Sequence, residues 1–158
     1  MLIKACLNGS RTLEEHPALP NTPEELTQAA VAAVAEGAGA LHIHPRDASG
    51  AQTLAVGDQA AALTAIRARL PTIPIGVSTA EWIEPDVARR LAAIHAWQAL
   101  PLPPDFASVN FSEAGAELVC EALLAVGIGV EAGLAAVDDA QRLLASGLAP
   151  RCLRILIE

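Results

Sequence analysis

Basic residues are scarce in this 158-residue chain: ten Lys and Arg stand against eighteen Asp and Glu, a formal net charge of −8. That balance argues against nucleic acid or an anionic membrane surface as the main partner. It leaves room for a small anionic ligand held by a few local groups. Cysteine is sparse too. Cys6, Cys120 and Cys152 are widely spaced, odd in number and without a C-x-x-C, which reads as reduced thiols rather than a disulfide framework. A signal-peptide pattern is missing, because Met1-Leu2-Ile3-Lys4 turns polar too quickly. Long apolar runs are missing as well. The longest, around Leu118 to Val137, is interrupted by Glu121, Glu131, Gly127, Gly129 and Gly133, so no membrane span is expected. The expectation is a soluble, cytoplasmic protein.

What the chain holds in quantity is apolar residue, 53% of the whole, over a length that suits one domain with a sizeable core. Short apolar runs alternate with helical patterns. A first strand runs from Leu2 to Leu7 and stops at Asn8-Gly9. Thr22-Pro23-Glu24-Glu25 predicts a helix start, with Thr22 as cap, Pro23 in the first turn and Glu25 returning a bond to the cap. Gly37 ends that helix, and the strand Ala40-Leu41-His42-Ile43-His44 follows. The unit then repeats: helix about Val56 to Leu70 and strand Ile73 to Val77, helix about Pro85 to Trp97 and strand Phe106 to Asn110. Helix Ala114 to Val126 and strand Ile128 to Glu131 come next, then helix Val137 to Ala145 and a sixth strand, Cys152 to Ile157. Such alternation implies parallel strands with helical crossovers.

Two architectures compete for this pattern. A doubly wound sheet would carry a Gly-rich turn after its first strand, and Asn8-Gly9-Ser10 offers one glycine. A (β/α)8 barrel puts its chemistry at the C-terminal ends of many strands. Asn8, His44, Ser78, Asn110 and Glu131 all fall at expected strand ends, which favours the barrel.

Residues i and i+2 of a strand face the same way, so His42 and His44 project together while Leu41 and Ile43 face the core. Two imidazoles on one face are a candidate divalent-metal site, with a further ligand due from elsewhere in the fold. Ser108 and Asn110 share a face in the same manner, and Ser78 ends the strand between. Glu131 lies in a strand between Val130 and Ala132, a poor place for a solvated carboxylate. Arg11, just past the first strand, can reach over the same mouth, where its planar fork suits a carboxylate. Arg46 and Asp47 read as a structural ion pair. His16, His95, Trp82 and Trp97 read as structural or packing residues.

These residues resemble the β-keto acid cleavage enzymes, also called the 3-keto-5-aminohexanoate cleavage family. The resemblance rests on Asn8-Gly9-Ser10-Arg11, His16 to Glu25, Leu41 to Asp47, Val77-Ser78-Thr79 and Val130-Glu131-Ala132-Gly133, in order along essentially the whole chain. It implies a (β/α)8 barrel that forms homo-oligomers and binds a divalent metal, usually zinc. It also implies a β-keto acid and acetyl-CoA as substrates, with acetoacetate and a new CoA thioester as products. His42 and His44 would be metal ligands, Ser78, Ser108 and Asn110 would bind the keto acid, and Glu131 would line the pocket as the catalytic carboxylate. The amino-acid-cleaving member carries an acid at the position of Arg11. Arginine there implies a neutral or anionic substrate. The family's third metal ligand and catalytic arginine belong to a later strand, and nothing before Glu158 matches that motif.

The expectation is therefore one barrel domain over residues 1–158 with about six of its units. By itself this polypeptide is expected to bind zinc weakly and to lack cleavage activity, so a catalytically inactive barrel fragment is one alternative. The other is an amidohydrolase-like metal hydrolase, which also uses H-x-H in a barrel. That class places the motif on the first strand and adds histidines at later strand ends, and here neither holds.

Overall fold

A computed structural model of the chain describes residues 1–157. The sheet has six strands, β1 Lys4–Cys6, β2 Ala40–Ile43, β3 Ile75–Ser78, β4 Phe106–Asn110, β5 Gly129–Leu134 and β6 Arg154–Ile157, paired in chain order. Every neighbouring pair is parallel. The crossovers carry α1 Pro23–Ala35, α2 Val56–Arg69, α3 Val87–Ala96, α4 Ala116–Ala125 and α5 Val137–Ala145. Unbroken sequential order of parallel strands is the order of a (β/α) barrel, not of a doubly wound sheet, whose order reverses.

The sheet is curled. Strands β1 and β5 are four spacings apart, which would be ~19 Å across a flat sheet. Yet the Lys4 ammonium on β1 bonds the Glu131 carboxylate on β5. The residues that face this lumen are small or polar, apart from Phe106 and Leu156. The opposite face is apolar: Leu41, Ile43, Ile75, Val77, Ala107, Val109, Val130 and Ala132 are buried against Leu26, Leu63, Ile66, Ile94, Val119 and Leu123 of the helices. That division is the period-two pattern of the strands made spatial.

Sequence signals set the ends of the elements. Thr22 and Glu25 form the expected capping box of α1. The third strand begins at Ile75 rather than Ile73 because Pro74 has no N–H to give the ladder. The fourth helix begins at Ala116 rather than Ala114, after Gly115 has turned through φ +71°. On the lumen side Phe106 lies over Gly76, where a Cβ would sit 1.9 Å from the ring. The ring also lies near the Lys4 ammonium and the Arg154 guanidinium, 5.8 and 4.8 Å from its centre. Both outer strands of the sheet have a partner on one side only among the described residues. Leu2 and Ile3 beside β1, and Leu153, Ile155 and Ile157 along β6, are exposed there.

Candidate active site

At the C-terminal ends of the strands a pocket of about 260 Å3 is lined by His42, His44, Ser78, Ser108 and Asn110, with Lys4 and Cys6 below and Gly9, Ser10, Trp82 and Leu156 around the rim. Larger clefts exist. One of about 500 Å3 lies between the Leu13–Asn21 loop and α1, but its one ionisable group, Glu25, is already committed to the helix cap. The smaller pocket gathers two imidazoles, hydroxyls and an amide in one place.

β2 brings His42 there and the residue just past its end, His44, follows on the same side, each 7% exposed. Their Nε2 atoms stand 3.2 Å apart and the rings meet edge to face. Two ligands of one tetrahedral zinc, at 2.0–2.1 Å from it, stand ~3.3 Å apart, so the pair has the spacing of a shared metal. Two lone pairs at this distance would repel, so either a proton or a cation belongs between them. Burial holds His42 down to about 3, with the positive charges of His44 and Lys4 adding to the effect. Burial lowers His44 as well, against the upward pull of its hydrogen bond to Gln52 and with the help of the Arg46 charge. Both rings are thus neutral at neutral pH, the form that ligates metals. The buried Nδ1 of His42 has no partner. Among the described residues no third histidine, cysteine or carboxylate completes a ligand set with them. The residues present fit two positions of a metal site.

The backbone of His44 is fixed from β1. Asn8 donates its amide N–H to the His44 carbonyl at 2.8 Å and accepts the His44 N–H at 2.9 Å. The side chain thereby extends the β1–β2 ladder past its last residue. Arg46 does not pair with Asp47. Its guanidinium donates to the carbonyls of Gly9, Arg11 and Gly50, pinning the first loop over the pocket rim. Asp47 instead caps its own turn through Ser49 and Ala51. Successive side chains in a chain leaving a strand diverge, and each found its nearest backbone partner.

Ser78 and Ser108 sit side by side in the β3–β4 register, and Asn110 follows on the same face. Asn110 donates to Glu113 at 2.7 Å, and Glu113 is held by the fully buried Arg90 at 2.8 Å. Burial raises the Glu113 carboxyl, against the pull of Asn110, the Glu81 amide and Arg90. This network sets the Asn110 amide in one orientation. Composition gave no sign of it, since Arg90 lies on a helix twenty residues before Asn110 and Glu113 follows in a loop.

Glu131 is fully buried, as its place in a parallel strand required. It is neither at a strand end nor in the pocket lining, where the sequence reading puts it: β5 runs on to Leu134, which leaves Glu131 mid-strand below the pocket, in the row of Ser108 and Arg154. One oxygen takes the Lys4 ammonium and the other faces Arg154 at 2.9 Å, without hydrogen-bond geometry. The Arg154 guanidinium stacks on the Phe106 ring, 4.8 Å from its centre. Arg11 is exposed and lines the adjoining cleft of about 440 Å3 with His16 and Cys6, rather than the pocket itself. Trp97 is buried and donates to the Leu54 carbonyl. Trp82 is not a packing residue. It is 55% exposed at the pocket rim and donates its indole N–H to Gln52.

A family model described as beta-keto acid cleavage enzyme matches residues 1–146. The chain belongs to this family. Among solved structures, the apo structure of ObcA is similar, with 19% identity and a TM-score of 0.68 over 89% of this chain and 36% of that one. A mandelate racemase/muconate lactonizing protein from Herpetosiphon aurantiacus gives 19% identity and a TM-score of 0.60 over 93% of this chain and 36% of that one. A mandelate racemase/muconate lactonizing enzyme from Roseiflexus sp. gives 16% and 0.55, over 93% and 38%. At these identities the likeness is one of fold. This chain spans a little over a third of the length of each. No helix among its described residues is long and apolar enough to cross a membrane.

Proposed function

We propose that the strand-end pocket is the metal- and keto-acid-binding part of a β-keto acid cleavage site. The observation that carries this is the pair of neutral imidazole Nε2 atoms 3.2 Å apart in a pocket shared with Ser78, Ser108 and Asn110. His42 and His44 hold a divalent metal, zinc by family resemblance. Such a metal, when bound, supplies Lewis-acid polarisation of the β-keto oxygen.

The chain's own groups do the rest. The hydroxyls of Ser78 and Ser108 and the amide of Asn110 orient the keto acid against the metal face. Lys4 lines the pocket as a cation suited to its carboxylate, and Glu131 fixes that ammonium from below. Glu131 is the carboxylate assigned to catalysis here, acting on the pocket through Lys4. The co-substrate is acetyl-CoA. The C–C bond between the β-keto carbon and the CH2–COO− of the keto acid breaks, that two-carbon fragment joins the acetyl group of acetyl-CoA to give acetoacetate, and the remaining acyl group takes the released CoA as the new thioester. The assembly that performs this turnover is proposed to be a homo-oligomer. Arg11, beside the pocket, disfavours substrates that bear an amine.

Acetoacetate, itself a β-keto acid, is the direct probe. Its binding, followed by ligand-observed NMR, is expected to require zinc and to weaken about tenfold in Ser78→Ala, the loss of one good hydrogen bond. Arg11→Glu should shift preference toward an amino-substituted β-keto acid. Binding indifferent to both zinc and Ser78→Ala would remove the assignment.

A further inference from the structure

Resting on the metal reading above, the geometry points to Gln52 and Trp82 as positioning residues that preset His44 for metal. Neither residue lies in a strand, and no motif in the sequence singles them out.

The argument runs through donor and acceptor types. The indole of Trp82 has one polar hydrogen and no lone pair to offer, so the atom it meets must be an acceptor. That atom is the side-chain oxygen of Gln52, 3.3 Å away. The amide of Gln52 is therefore not free to turn its NH2 group around. The same oxygen lies 2.5 Å from His44 Nδ1. Facing an acceptor at that distance, Nδ1 must carry the ring proton. In a neutral imidazole the lone pair then belongs to Nε2. Nε2 of His44 is the atom that faces Nε2 of His42 across 3.2 Å.

The chain Trp82 N–H to Gln52 oxygen to His44 N–H thus fixes one tautomer and one ring orientation before any metal arrives. His42 has no such support, because its Nδ1 is buried without a partner. In the metal-free protein the remaining proton between the rings sits on His42 Nε2 and is donated to His44. His44 is the preset ligand, and His42 must move its proton to Nδ1 when metal enters. An outer partner that orients a ligating histidine in this way is typically worth a 10–100-fold change in metal affinity.

Two measurements test this. Long-range proton–nitrogen NMR of the metal-free protein should show His44 as the Nδ1–H tautomer, and Gln52→Leu should turn it into a mixture. Finding His44 as the Nε2–H tautomer in the wild type overturns the inference. Zinc affinity, by competition with a chromophoric chelator, should fall 10–100-fold in Gln52→Leu and by less in Trp82→Phe. Gln52→Glu keeps an acceptor and should stay near the wild type. Gln52→Leu binding zinc as tightly as the wild type, with an unchanged circular dichroism spectrum, also overturns it. Unchanged affinity in His42→Ala/His44→Ala would sink the metal reading instead, while the tautomer spectrum still decides the role of Gln52.

Discussion

Single residues in this chain are tuned by what surrounds them, and Cys120 shows it outside the site. It is buried in α4, and burial pushes its thiol from 9.0 up to about 12. Between those values the folded chain keeps a proton that the unfolded chain has lost. The folded state binds more protons there, so stability is complete below pH 9 and falls as pH rises toward about 12. The slope from this group is at most about 1.4 kcal/mol per pH unit. Urea unfolding on either side of pH 9 should therefore show a steeper alkaline loss in the wild type than in Cys120→Ala, and equal slopes would contradict it. Legibility at this scale was uneven. The shared faces of His42 with His44, and of Ser108 with Asn110, follow from strand geometry alone, and the pocket collects all four. The links from Trp82 to Gln52, from Arg90 to Glu113 and from Lys4 to Glu131 join residues far apart in the chain. Only the fold brings them together, so no local pattern records them. Arg46 and Asp47 show the reverse, since neighbours in sequence hold separate partners in space.

At the scale of elements, the alternation of apolar runs and helical patterns was enough to give the strands and helices in order. The boundaries slipped where Pro74 and Gly115 override the apolar pattern, and at β5, which runs past Glu131 to Leu134. What the pattern could not show is how the strands fill the lumen. Gly76 and Phe106 are register partners on β3 and β4, and the ring occupies the space a side chain at Gly76 would need. The same ring carries Arg154, which faces Glu131. Adding a methyl group at Gly76 must displace the Phe106 ring and the Arg154 guanidinium it carries. Gly76→Ala should cost about 1–3 kcal/mol or more, as overpacking does. Chemical denaturation checks it. A variant as stable as the wild type would mean that the ring has room to move.

For the whole molecule, the curled parallel sheet accounts for both the site and the exposed apolar residues. The strand ends converge on one pocket, while β1 and β6 leave Leu2, Ile3, Leu153, Ile155 and Ile157 open to solvent. Exposed apolar strand edges favour association. Light scattering of the 158-residue polypeptide should show a mass that rises with concentration, and Ile155→Lys/Ile157→Lys should lower it. A strictly monomeric wild type would remove that expectation. The central claim concerns the two histidines, and a zinc titration tests it most directly. The account predicts that the wild type binds zinc and that His42→Ala/His44→Ala loses this binding with its fold intact. Equal zinc binding by the two proteins would contradict it.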